Sequence, residues 1–320
     1  MKAIRINEFG APEVMRIEEV PEPKPGAGQV VVRLYAAGVN PVDTYIRQGM
    51  YAAGPRVPYT PGMDGAGIVE EVGEGVKNFH IGDRIYTARS LSGTYAEKTL
   101  CMESQVHPLP GNVTFAEGAG LYVPYGAAYL GLFLKARALP GDIVLVHGAT
   151  GGVGIAALQF ARAAGMQVIG TYGTEKGQFL ALQQGAHQVV NHHSPGHFEQ
   201  ILALTEGRGV DVILELLANV NLGKDLGILA QNGRVVVIGS RGRVEIDPRD
   251  AMSRNASIIG MMLLNVTEQE SLIIHSAFAA GMEKGIIKPV IGTVLPLSEA
   301  TQAHHLIMES NANGKIVLIP

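Results

Sequence analysis

The residues Gly148-Ala149-Thr150-Gly151-Gly152-Val153-Gly154 have the types and spacing needed to hold a phosphate. Glycines let a backbone approach an anion closely. The unpaired N–H groups at a helix start, with the positive end of its dipole, favour negative charge there. A glycine fingerprint alone is weak, and Ala149 stands where the first glycine of GxGxxG falls, so a ligand-free tight turn is the alternative. The flanks supply the context the fingerprint demands. Ile143-Val144-Leu145-Val146-His147 is an apolar, β-branched run that reads as a buried parallel strand. Residues 155–165 are Ala-rich, close on Gly165, and read as a helix with its C-cap. The chemistry this allows is binding of a dinucleotide pyrophosphate.

Cofactor choice is made at the end of the second strand of such a unit, where Asp or Glu holds a ribose 2′-OH in NAD-selective folds. Here that segment reads Gly170-Thr171-Tyr172-Gly173-Thr174-Glu175-Lys176, with no carboxylate at the strand end. Small and hydroxyl residues leave room for a 2′-phosphate, and Lys176 can pair with it; Glu175, a turn later, is the counter-argument. Gly239-Ser240-Arg241 follows another strand, and Arg241 is either a phosphate clamp or a plain surface charge. His192 is a third, weaker cation. The balance favours NADPH over NADH.

These residues need a scaffold. With 320 residues the chain suits two domains. Hydrophobic residues make up 47% and charged residues 17%, which excludes a disordered chain. A net charge of −4 gives no pull toward nucleic acid or anionic membrane. No apolar run reaches the ~18 residues of a membrane span. The start, Met1-Lys2-Ala3-Ile4-Arg5, alternates like a strand with no apolar signal segment, so a cytoplasmic protein is expected. The single Cys101 excludes an intramolecular disulfide and a Cys-rich zinc site; it reads as a packed apolar residue, with a reactive thiol as the alternative.

Residues 1–123 carry short β bursts separated by turn clusters such as Pro21-Glu22-Pro23-Lys24-Pro25-Gly26, the mark of a mostly β domain. From 124 helical stretches alternate with short apolar strands, the mark of a doubly wound parallel sheet. A helix from Glu268 to Lys284 and a strand-like tail follow. The expected architecture is α/β. A mostly β catalytic domain of residues 1–123 and 266–320 surrounds an inserted Rossmann dinucleotide-binding domain of residues 124–265.

The run Gly141-Asp142, Leu145, 148–154, Gln159 and Arg162 resembles the signature of zeta-crystallin-type quinone oxidoreductases, in the medium-chain dehydrogenase/reductase superfamily. Thr150 departs from the serine common there but keeps a hydroxyl. The segments 38–47, 58–62, 217–222 and 237–242 agree as well, so the resemblance spans nearly the whole chain. It implies a GroES-like domain wrapped around a Rossmann domain, NADPH as cofactor, ortho-quinones as substrates, and a homodimer or homotetramer. Carried over, its cofactor contacts fall on Tyr45, Thr150, Gly151, Gly152, Val153, Gly173, His192, Asn221, Ile238, Gly239, Ser240 and Arg241. Met261-Met262-Leu263 would lie alongside the nicotinamide. The plain alternatives are a half-buried aromatic for Tyr45, a surface histidine for His192 and a loop residue bonding its own backbone for Asn221. His193, His304 and His305 read as surface residues.

Zinc-dependent relatives place a cysteine after the Gly-Val of the early loop and Gly-His-Glu further on; here those positions read Asn40 and Gly62-Met63-Asp64. Asn40 and Met63 are poor zinc ligands, so no metal is expected. Without a Lewis acid the acceptor must take hydride readily, as a quinone does. Tyr45 and Tyr51 are then candidates to donate a hydrogen bond to the reduced oxygen, and Asn40 to orient nicotinamide or substrate. Two other functions stay open: reduction of activated C=C bonds in enones and alkenals, and a cofactor-binding protein with an RNA-binding or structural role. The charge and the lack of a basic stripe argue against RNA. Residues 257–264 are too apolar for a solvated edge strand and predict a two-fold interface.

Overall fold

The computed structural model describes residues 1–51, 54–309 and 313–320. It divides into two compact units, Met1–Val123 with Lys288–Pro320, and Pro124–Ile287.

The second unit is a six-stranded parallel sheet. In chain order its strands are Ile143–Val146, Gln167–Tyr172, Gln188–Asn191, Val210–Glu215, Leu229–Val237 and Ser257–Gly260. In space they run third, second, first, fourth, fifth, sixth. This is the Rossmann order, and the strand sequence reverses beside Ile143–Val146, where such sheets bind ligands. Val144, Leu145 and Val146 are fully buried because helices cover both faces of the sheet. Leu145, Ile169, Ile213 and Val235 lie together in one core with Phe198 and Leu226.

The sequence reading closed this unit at 265, and the structure corrects that. Helix Glu268–Glu283 belongs to it: Lys135 donates to Glu270 at 2.9 Å, and Phe278 packs edge-on to Tyr125 with ring centres 6.2 Å apart. Ile274, Phe278 and Met282 recur every four residues and form one apolar stripe. A stripe shows that a helix needs cover but not which sheet provides it.

The first unit is built on a seven-stranded sheet. The strands Ile291–Pro296, Lys315–Ile319, Gln29–Val39, Asp64–Val72, Arg84–Ala88 and Val106–Pro108 follow one another, and Lys98–Met102 pairs with Gln29–Val39. The last strand of the chain lies antiparallel to the long one, with Val317 opposite Gly38. Gly38 has to be glycine: a Cβ there would sit 2.0 Å from the Ala119 carbonyl and 2.7 Å from Lys315 Cε. This bare backbone lets the Lys315 side chain pass. Cys101 is buried in this unit, and burial pushes its thiol up to about 12, so it stays protonated and inert.

Candidate active site

The phosphate-binding turn of the second unit is held by the neighbouring strand. Gly148 takes a left-handed φ of +60°. Its N–H donates to the Thr171 hydroxyl at 3.0 Å, and the Ala149 N–H donates to the Thr171 carbonyl at 3.0 Å. Helix Gly152–Ala163 starts at once, with Gly151 as an N-cap that no side chain caps. A Cβ on Gly154 would lie 2.3 Å from the Gly148 carbonyl, whereas one on Gly151 would meet nothing nearer than 3.7 Å. The third glycine is therefore needed for close packing, and the outer face at Gly151 is open. Thr150, Gly151, Gly152 and Val153 stand half-buried on that face. An uncapped helix start beside an open backbone turn fits a pyrophosphate.

Gly173 follows the second strand, and a Cβ there would touch the His192 ring at 3.0 Å. Thr174 caps helix Glu175–Gln183 through the Gly177 N–H. Lys176 is exposed in the first turn of that helix. The role of His192 as a cation is corrected: burial, with His193 and His197 nearby, holds its imidazole down at about 4. Near neutral pH it carries no charge and offers only a neutral hydrogen bond. Beyond strand Leu229–Val237, Ile238 and Gly239 both donate their N–H to the Glu215 carbonyl, at 2.8 and 3.2 Å. The Ser240 hydroxyl donates to the Gly242 carbonyl, and the exposed Arg241 has its backbone N–H on Asn219 Oδ1 at 2.8 Å. Asn221 lies in helix Ala218–Ile228, not in a loop, and its amide donates to Glu215 Oε1 at 3.3 Å. Met261 donates its N–H to Val237, Met262 is exposed and Leu263 is buried against Gly126.

In the first unit the structure corrects two further readings. Asn40 is only 2% exposed, and its amide is already committed. Its Nδ2 donates to Asp64 Oδ2 at 3.0 Å, and its Oδ1 accepts from the Lys315 ammonium. Asn40 therefore orients its own neighbours, with its Oδ1 and one Nδ2–H engaged inside the unit. His304, read as a surface residue, is 1% exposed, with Nε2 3.2 Å from the Tyr95 hydroxyl. That hydroxyl donates to Asp43 Oδ2 at 3.2 Å, which also accepts the Asn40 N–H at 2.9 Å and so caps helix Pro41–Arg47. Burial, then the nearby Asp64 carboxylate, raises Asp43 to about 7. Tyr45 sits half-buried on this helix, and Tyr51 follows it. Burial and the proximity of Tyr45 raise the Tyr51 phenol, so that ring stays a protonated donor near neutral pH.

Sequence reasoning missed Asp43, Asp64, Tyr95 and Lys315 in the first unit, and Thr171, Glu215 and Asp225 in the second. The clearest available signal was a charge inside an apolar strand, Lys315 before Ile316-Val317-Leu318 and Glu215 after Val212-Ile213-Leu214, because such a residue must have a buried partner. The positions of the zinc-using pattern do not fit a metal. Lys315 Nζ lies 2.8 Å from Asp64 Oδ2 and bonds Asn40, so a fixed ammonium already fills the place between them. A second cation there would face like-charge repulsion.

Residues 152–277 match the zinc-binding dehydrogenase family model, and residues 26–111 match the alcohol dehydrogenase GroES-like domain. The quinone oxidoreductase of Sus scrofa is 50% identical over all of this chain and 98% of its own length. Among solved structures, Escherichia coli quinone oxidoreductase complexed with NADPH superposes with a TM-score of 0.91 at 29% identity, covering both chains fully. An NAD-dependent alcohol dehydrogenase does so with a TM-score of 0.92 at 30% identity, also over both full chains. Fold likeness alone thus spans both nicotinamide cofactors.

Proposed function

This chain belongs to the zeta-crystallin-type quinone oxidoreductases of the medium-chain dehydrogenase/reductase superfamily, and from that premise we propose that it reduces ortho-quinone-type acceptors with NADPH and without a metal. The observation that carries the reading is the Lys315 ammonium bound to Asn40 and Asp64. With that place filled by a side chain, the acceptor has to be one that takes hydride without a Lewis acid. A quinone meets this requirement because its reduced oxygen is a stable oxyanion. NADPH supplies the hydride when bound.

The chain's own residues divide the remaining work. The turn at Gly148 and the helix start at Gly152 hold the pyrophosphate, and Arg241, with Lys176, holds the 2′-phosphate. Tyr45 and Tyr51 donate hydrogen bonds to the reduced oxygen. Asn40 acts as a strut.

Initial rates of NADPH oxidation with ortho-quinones, para-quinones and enones test the assignment. Fast turnover confined to enones would move the chain to the C=C reductase reading. We further propose a homodimer or a homotetramer. Among the described residues strand Ser257–Gly260 pairs only with Leu229–Val237, and Ile258 on it is 41% exposed. Among the described residues no helix is long and apolar enough to cross a membrane. The single cysteine needs no oxidising compartment, which supports a cytoplasmic location.

A further inference from the structure

Glu215 ends the fourth strand of the second unit with no exposure to solvent. Its backbone carbonyl receives the Ile238 and Gly239 N–H groups. Its Oε1 receives the Leu217 N–H and the Asn221 amide, and its Oε2 lies 3.6 Å from His147 Nε2. His147, itself 3% exposed, directly precedes the Gly148 turn and bonds Asp225 Oδ1 at 2.9 Å. Asn221 and Asp225 are one turn apart on helix Ala218–Ile228 and so share a face. Glu215 therefore joins three parts of the proposed cofactor site: the glycine turn through His147, the strand exit at Ile238, and Asn221.

Phosphate binding at the glycine turn requires no buried carboxylate at this point. Glu215 Oε2 and Asp225 Oδ2 find no hydrogen-bond partner among the described residues. An imidazolium beside two carboxylates leaves one negative charge in excess. One proton held between the carboxyl groups, or one cation, would close the balance. The donor atoms lie within 4.8 Å of one another. The 2.9 Å from His147 to Asp225 is a direct hydrogen bond, shorter than the ~3.4 Å that separates two ligands on a tetrahedral ion with bonds of ~2.1 Å. Burial, with Asp225 beside it, raises Glu215, in keeping with a retained proton. His192, His197 and Lys224 are the other basic groups of this neighbourhood.

We propose that Glu215 is a positioning residue for the cofactor, acting through Asn221 and independently of the 2′-phosphate. This rests on the nicotinamide-cofactor reading but not on the identity of the acceptor. The test is calorimetric titration of NADPH and NADH, with no acceptor present, into the native chain and into Glu215→Ala, Asn221→Ala and the double variant. Each single change should weaken both cofactors by the same factor, about three- to tenfold, and the double should be no worse than the weaker single. Should Glu215→Ala fail to fold, Glu215→Asp, which keeps the carboxyl but shortens the reach, takes its place in the same cycle. Additive losses, unchanged affinities, a loss for NADPH alone, or one divalent ion per purified chain would each overturn the proposal. Native protein that binds NADPH but turns over no quinone would remove the proposed reaction and leave this inference standing.

Discussion

Lys315 and Asp64, 251 residues apart in sequence, meet at 2.8 Å with both side chains almost wholly buried. The pair joins the last strand of the chain to the strand that begins at Asp64, and through Asn40 it reaches the start of the helix that carries Tyr45. Removing one partner strands a buried charge, which costs about 3–5 kcal/mol, while replacing both leaves none. Lys315→Met should therefore lower stability by about that much in chemical denaturation. Lys315→Met combined with Asp64→Asn should recover most of the loss. A double variant as unstable as the two losses summed would show that the pair is not coupled.

Cofactor selection should depend on Arg241. A 2′-phosphate withdrawn from water needs a cation, and a guanidinium can bind it through two hydrogen bonds. Arg241→Ala should raise the NADPH KM about 10- to 100-fold, matching the ~1.5–3 kcal/mol of a charged hydrogen bond. NADH kinetics should hardly change. Lys176→Ala should show the same selectivity with a smaller effect. His192→Ala should not be selective, because its imidazole, held down at about 4, is neutral at pH 7. Equal weakening of both cofactors by Arg241→Ala would assign that residue to the fold or the pyrophosphate.

The strand, glycine turn and helix of the second unit were legible in the sequence and the buried network of the first was not. Strand, glycine turn and helix run consecutively from Ile143 to Ala163, so local composition reveals them. Asn40, Asp64 and Lys315 come from three distant segments that only the folded sheet joins. His304 was misread for a related reason. Helix Ala300–Leu306 carries His304 and His305 side by side; the first is buried and the second pairs with the exposed Glu13, and a short helix gives too few turns to show which face is inside.

His304 should make the fold sensitive to acid. Burial, with Arg47 and His305 nearby, lowers its imidazole from 6.5 to about 3. The unfolded chain then binds a proton that the folded chain refuses, so stability falls as pH drops below 6.5 and keeps falling toward 3. Asp43, raised from 3.8 to about 7, acts in the opposite direction over that range, so the native slope is a difference. His304→Gln keeps a partner for Tyr95 but cannot titrate. Between pH 6 and 4 its unfolding free energy should fall less steeply than that of the native chain, by roughly 1 kcal/mol per pH unit. Identical slopes in denaturant melts would place the acid sensitivity elsewhere.

Assembly should run through the exposed edge strand. Ile258→Lys introduces a charge on Ser257–Gly260, a common means of blocking edge pairing. Sedimentation at micromolar concentration should show the native chain as a dimer or tetramer, and the variant at a lower order. A native monomer would contradict the proposed interface.

The central claim is NADPH-dependent quinone reduction in which Lys315 stands where a metal would otherwise be held. It is tested most directly by the turnover of an ortho-quinone with NADPH in protein dialysed against a strong chelator and assayed for zinc. The expected result is an undiminished rate with far less than one zinc per chain, and no gain when zinc is restored. A rate that collapses on chelation and returns with one equivalent of zinc would contradict it.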